Sequence, residues 1–186
     1  MKNLSKLKFL LIFPLLLGAI AEVQAEQQCY PNAVYLVRHA EKVLTPGKKN
    51  PELTKQGHKR AHSLATLLKD VKLNTIYSSQ FKRTQQTVQP TAKSQSLSLE
   101  IRDARSVKTL TEDVLDACDE NILISGHSNT VPALLKALGL EITGSIQGKK
   151  LRFEPVIYLN EKQDYGTLFK VTFKEDGTRA LDLSVF

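Results

Sequence analysis

Several polar residues in this sequence stand where chemistry is easily done. Arg38-His39 closes an apolar run, Arg83 opens a helix-like stretch, Asp103 follows an alternating segment, and Gly126-His127-Ser128 closes a second apolar run. Two guanidiniums can bracket a phosphoryl group through paired N–H bonds, and their charge persists at any relevant pH. A neutral imidazole nitrogen is a competent nucleophile toward phosphorus. A second imidazole and both arginines can stabilise charge on the equatorial oxygens in the transition state. A protonated carboxyl can give a proton to the leaving alkoxide. With this much positive charge on side chains, no divalent metal and no cofactor is required.

The elements that must position these residues alternate between strand and helix. Ala33-Val34-Tyr35-Leu36-Val37 is a continuous apolar run, the mark of a strand buried on both faces. Thr54 is a candidate N-cap for a helix with Ala61, Leu64, Ala65 and Leu68 on one face. Thr75-Ile76-Tyr77-Ser78 is a short strand, and Ser79 is a candidate cap for a helix starting near Gln80. Leu97, Leu99 and Ile101 alternate with polar residues, which predicts a half-exposed strand. Val107, Leu110, Val114 and Ala117 recur at helical spacing. Ile122-Leu123-Ile124 is another buried strand, followed by a helix that ends at Leu138 with Gly139 as its stop. Two strands, Leu168 to Phe173 and Ala180 to Val185, are joined by the turn residues Asp176-Gly177. This alternation predicts an α/β fold, a three-layer α/β/α sandwich with a mainly parallel sheet and a C-terminal β-hairpin. In such folds chemistry sits at the carboxyl ends of the strands. The first buried strand delivers Arg38 and His39 there, and the later strands deliver Arg83, Asp103 and His127.

These residues lie in blocks that resemble the histidine phosphatase superfamily, the phosphoglycerate mutase-like fold. The blocks are Leu36-Val37-Arg38-His39-Ala40-Glu41-Lys42, Leu53-Thr54-x-x-Gly57, Tyr77-Ser78-Ser79-x-x-x-Arg83-Thr84-x-x-Thr87 and Ser125-Gly126-His127-Ser128-Asn129-Thr130-Val131-Pro132. Each is weak alone, but four in family order, each at a strand end, are specific. The resemblance implies that His39 becomes the phosphohistidine. It also implies that Arg38, Arg83 and His127 complete the phosphate pocket, with Ser128 beside them. Ala40 stands where the family usually has glycine, a variation seen in small members. The matching position for a proton donor is best filled by Asp103. Glu112 and Asp113 are further candidates, on a face expected to be solvated.

Other polar residues have plainer readings. Glu41 and Lys42 are expected in solvent or behind the pocket. His58 and His62 have the i, i+4 spacing of metal ligands but no third ligand nearby, so surface positions are expected and no metal site. Tyr165 and Phe169 are expected in the core, with a place in the pocket wall as the alternative. If His39 and His127 end neighbouring parallel strands, Cys29 and Cys118 begin them, which predicts a disulfide at the opposite end of the sheet.

The first 25 residues read as a signal peptide. Lys2, Lys6 and Lys8 form a positive head, Phe9 to Ala21 is an apolar run too short for a membrane span, and cleavage is expected after Ala25. That leaves residues 26–186 as one domain, in the periplasm or secreted, with no stable membrane insertion. Composition agrees with a folded chain: of 186 residues, 41% are hydrophobic and 24% charged. Two cysteines exclude a disulfide scaffold or a four-cysteine zinc site. The formal charge of +7 suits an anionic ligand, but there is no basic run outside the signal and no tryptophan, so nucleic acid is not an expected partner. The expected function is an exported, metal-independent phosphomonoesterase acting on a small phosphorylated substrate, with a rate optimum on the acidic side of neutral. A phosphoprotein or phosphohistidine phosphatase and a non-catalytic phosphate-ligand binder are the alternatives. Specificity is assigned to the loops Leu44–Pro51, Arg102–Lys108 and Gly144–Arg152.

Overall fold

Val34, Leu36 and Val37 have nothing polar to offer water, and they fold as β1 (Ala33–Arg38), a strand buried at every position. A computed structural model describes residues 29–140, 144–146, 149–151, 159 and 164–186. The signal-peptide reading therefore lies outside the described residues. After β1 the chain forms α1 (Lys55–Leu67), β2 (Thr75–Ser79), α2 (Lys82–Ser94), β3 (Leu99–Arg102), α3 (Val107–Leu115), β4 (Asn121–Gly126) and α4 (Thr130–Ala137). It then forms β5 (Gly144–Ile146), β6 (Lys149–Leu151), β7 (Thr167–Phe173) and β8 (Arg179–Val185). One sheet has the order β3-β2-β4-β1-β7-β8, its first four strands parallel and β7 and β8 antiparallel. The predicted mixed α/β sandwich is the fold observed.

The two faces of the sheet carry separate cores. Val34, Leu36, Ile122 and Ile124 pack with Leu110 and Val114 of α3 and with Leu134 and Leu135 of α4. Tyr35, Val37, Ile76 and Leu123 pack with Leu64 of α1 and with Val88 and Ala92 of α2. Alternation along the strands sends successive residues to opposite cores. β3 is an edge strand, and Ile101 on it is 45% exposed. The C-terminal hairpin forms as expected: Gly177, at φ 78°, donates to the Lys174 carbonyl, and Lys174 donates to Thr178.

Three local expectations are corrected. The helix after β2 begins at Lys82 with Phe81 as its N-cap, because the Ser79 hydroxyl is spent on His127 and Thr84. Within the stretch assigned to a loop at Gly144–Arg152, β5 and β6 pair as a small antiparallel hairpin. Asp113 is half-buried and accepts from Arg102 Nε at 2.8 Å, so it is not on a freely solvated face.

Thr54 caps α1 by accepting from the Gly57 amide at 3.0 Å, and Gly139, at φ 74°, follows the end of α4. Cys29 and Cys118 form the disulfide predicted, with Cα atoms 5.2 Å apart. Such a bond is chemistry of an oxidising compartment and points away from the cytoplasm. No helix among the described residues is long and apolar enough to cross a membrane.

Candidate active site

The β1–β4 pairing sets Arg38 opposite Gly126, so the residues after them, His39 and His127, leave the sheet side by side. The His39 amide donates to the Gly126 carbonyl at 2.9 Å and extends that ladder by one step. The two imidazole rings lie 5.5 Å apart, edge to face. Arg38, His39 and His127 are all buried. Arg83 arrives in the first turn of α2 and donates from Nη2 to His127 Nδ1 at 3.4 Å. The structure thus brings together four of the residues singled out in the sequence.

A hydrogen-bond partner fixes which nitrogen of His39 carries the proton. His39 Nδ1 lies 2.8 Å from the Ala40 carbonyl oxygen, which can only accept, so Nδ1 carries the proton and Nε2 keeps its lone pair. Burial lowers His39 most, and Arg38, Arg83 and His127 lower it further, to about 3, against the hydrogen bond to Ala40. His127 is drawn down to about 4 by burial, then by Arg83, Arg38 and Lys42. Both rings are neutral near neutral pH. His39 therefore presents an unprotonated nitrogen beside two permanent cations.

The loop behind His39 is pinned from several sides. The Ala40 amide donates to Thr87 Oγ1 at 2.9 Å, and the Ala40 methyl is buried against Leu53 and Ala61. Alanine therefore fits in place of glycine: its φ is not positive, and its side chain fills a small core of its own. Thr54 donates its amide to the Glu41 carbonyl at 2.8 Å. Gly57 passes so close to that carbonyl that a Cβ there would collide with it. Glu41 is gripped by Arg60 Nε and Nη2 at 2.7–3.0 Å. Burial pushes the Glu41 carboxyl up, but the Arg60 bonds win and hold it below its usual range. Lys42 is half-buried and bridges to Leu53 through the backbone.

Asp103 is not gathered into this group. It is exposed, its carboxylate accepts from Arg105 Nη2 at 3.0 Å and Nε at 3.1 Å, and the Arg105 amide donates to it at 2.8 Å. These Arg105 bonds hold Asp103 at about 2, which favours the ionised form over a proton carrier. Ser128 lies in the turn between β4 and α4, where its carbonyl accepts from the Leu159 amide at 2.8 Å. His58 and His62 are exposed on α1.

Sequence reasoning gave Phe81 no role and placed Tyr165 in the core by default, with the pocket wall as the alternative that the structure takes. The Arg38 guanidinium lies 4.2 Å from the centre of the Tyr165 ring, which also sits 6.2 Å from His39. Arg83 lies 4.4 Å from the centre of the Phe81 ring, whose edge-to-face partner is His127 at 5.3 Å. Each arginine is thus backed by one aromatic face, which restrains its planar fork. Phe169, by contrast, is in the core. The Ser-Ser-x-x-x-Arg-Thr spacing was a usable signal for the Ser79–Thr84 pair. For Tyr165 the local pattern did not decide between core and pocket wall.

The comparisons agree with this geometry. A family model described as histidine phosphatase superfamily (branch 1) matches residues 34–104. No curated protein sequence matches significantly. Among solved structures, SixA of Agrobacterium tumefaciens, assigned as a phosphohistidine phosphatase, is similar with a TM-score of 0.63 and 21% identity, covering 84% of this chain and 100% of that one. A protein histidine phosphatase SixA complexed with tungstate gives 0.59 and 19%, over 82% of this chain and 96% of that one. A mycobacterial glucosyl-3-phosphoglycerate phosphatase gives 0.57 and 13%, over 83% and 98%. At these identities the structures establish the fold.

Proposed function

We propose that the chain is a member of the histidine phosphatase superfamily, whose model matches residues 34–104, and that it is an exported phosphomonoesterase that needs no metal and works through a phosphohistidine on His39. The observation that carries the reading is the commitment of His39 Nδ1 to the Ala40 carbonyl. It leaves the Nε2 lone pair as the reactive nitrogen, neutral and next to Arg38 and Arg83. In the first step Nε2 attacks phosphorus, the P–O bond breaks, and the ester oxygen leaves as the alcohol with a proton from solvent. In the second, water attacks phosphorus and gives up a proton to solvent, and the electron pair of the P–N bond returns to Nε2. Arg38 and Arg83 hold the phosphoryl oxygens in both steps, with His127 on the same group. Their charge supplies what a metal would supply, which supports metal independence. The disulfide, together with the N-terminal sequence, supports export.

A second reading is favoured by one feature. An Asp103 held ionised by Arg105 is a poor source of a proton for an alkoxide. A phosphohistidine substrate, whose imidazole leaving group departs more readily, asks less of an acid. The likeness to SixA supports this substrate class as the alternative.

The test is p-nitrophenyl phosphate hydrolysis with EDTA present, beside a His39→Ala variant. We expect turnover in EDTA and its loss by at least about a thousandfold in the variant. Comparable turnover by the variant removes the mechanism. Dependence on added metal removes the metal-independent part.

A further inference from the structure

His127 is held by more than its place at the end of β4. Its Nε2 lies 2.9 Å from Ser79 Oγ, Ser79 Oγ lies 2.7 Å from Thr84 Oγ1, and Thr84 Oγ1 lies 2.7 Å from the Phe81 carbonyl oxygen. All three side chains are buried. A carbonyl only accepts, so Thr84 must donate to it. The Thr84 proton is then spent, and Ser79 must donate to Thr84. The Ser79 proton is spent in turn, its lone pair faces the ring, and His127 Nε2 must carry hydrogen. The chain of hydroxyls has one polarity, set at its far end by a backbone carbonyl. The lone pair of His127 is left on Nδ1, on the side where Arg83 reaches it.

We infer that this hydroxyl chain makes His127 a proton-coupled clamp: when a phosphoryl dianion arrives, His127 takes up a proton at Nδ1 and donates it to a phosphoryl oxygen, with Ser79 as the positioning residue. The inference rests on the phosphatase reading above. The proton comes from solvent, one N–H bond forms at Nδ1, and no other covalent bond changes.

The surroundings make the uptake conditional on the anion. Arg38 and His39 face His127 from β1 and its end, Lys42 from the loop beyond, and Arg83 from α2; β2 contributes only the neutral Ser79. With the pocket vacant these cations and burial keep the ring neutral. A bound dianion reverses the local field and favours the charged ring. An imidazolium needs two acceptors. Ser79 Oγ is already one, and the phosphoryl oxygen becomes the other, taking over the Arg83 Nη2–H that Nδ1 accepts in the free protein. A serine with the opposite polarity would aim its O–H at the cation and oppose the change.

The experiment is calorimetric titration of the protein with tungstate, kept dilute enough to remain the monomeric dianion throughout the pH range. With a ring neutral when free and charged when bound, each binding event takes up close to one proton. Kd should then rise about tenfold per pH unit between about pH 6 and about pH 8. His127→Gln should abolish the uptake. Ser79→Ala should weaken binding about tenfold and reduce the uptake well below one proton, and Ser79→Thr should restore both. Thr84→Val frees Ser79 to reverse and should also reduce the uptake, which keeps the test open if Ser79→Ala fails to fold. Affinity independent of pH in the wild type, or full uptake in Ser79→Ala, overturns the clamp. If p-nitrophenyl phosphate is turned over while tungstate binding ignores pH, the clamp falls and the phosphatase stands. Absence of both turnover and tungstate binding removes both.

Discussion

His39 and His127 are one residue type, their rings 5.5 Å apart, yet the structure commits opposite nitrogens in the two rings. His39 gives Nδ1–H to a carbonyl and keeps Nε2 free, whereas His127 gives Nε2–H to Ser79 and keeps Nδ1. This difference, and not burial, separates a nucleophile from a phosphoryl ligand in the proposed mechanism. Asp103 shows the converse. It follows β3 as the sequence requires, but Arg105 two residues on claims both of its oxygens. General-acid catalysis typically contributes a hundredfold or more. We therefore expect Asp103→Asn to lose less than about tenfold in kcat on an alkyl phosphate, measured across the pH profile. A loss of about a hundredfold at the pH optimum, with the basic limb abolished, would return Asp103 to the role of acid.

At the scale of elements, the turns between strand and helix do the positioning. The loop from Glu41 to Thr54 is clamped onto the N-terminus of α1, with Gly57 against the Glu41 carbonyl. Because the obstacle is backbone, Gly57→Ala must displace the loop carrying His39. It should cost about 1–3 kcal/mol in denaturant unfolding and lower kcat more than it raises KM. A variant with unchanged stability would show that the close approach is not required. The Leu53-Thr54-x-x-Gly57 spacing made this contact legible in the sequence, as apolar runs made β1 and β4 legible and hence the neighbouring histidines. What was not legible depended on side chains meeting across long separations. Tyr165 reaches Arg38 from beyond β6, and no period in the chain records that meeting. Ser79 has the composition of a helix cap, and only the arrival of β4 beside β2 turned its hydroxyl toward His127. The β5–β6 hairpin was obscured by strands of three residues, shorter than any alternation can mark.

Across the whole molecule, the disulfide and the histidines occupy opposite ends of the same two strands. The bond joins residues 89 apart in sequence. Closing a loop of that length constrains the unfolded chain by about 4–5 kcal/mol in the chain-entropy account. Reduction, or Cys29→Ser with Cys118→Ser, should lower unfolding stability by about that much while leaving kcat at 25 °C within about twofold. A large loss of kcat in protein still folded would mean that the two ends of the sheet are coupled.

β1 and β4 each span six residues, roughly 20 Å of extended chain between those two poles. Whatever is joined ahead of Cys29 therefore meets the domain at the pole away from the imidazoles. A carrier protein, a surface tether or a solid support attached there would present the pocket outward and unobstructed. This gives the chain a built-in orientation for immobilised or displayed use.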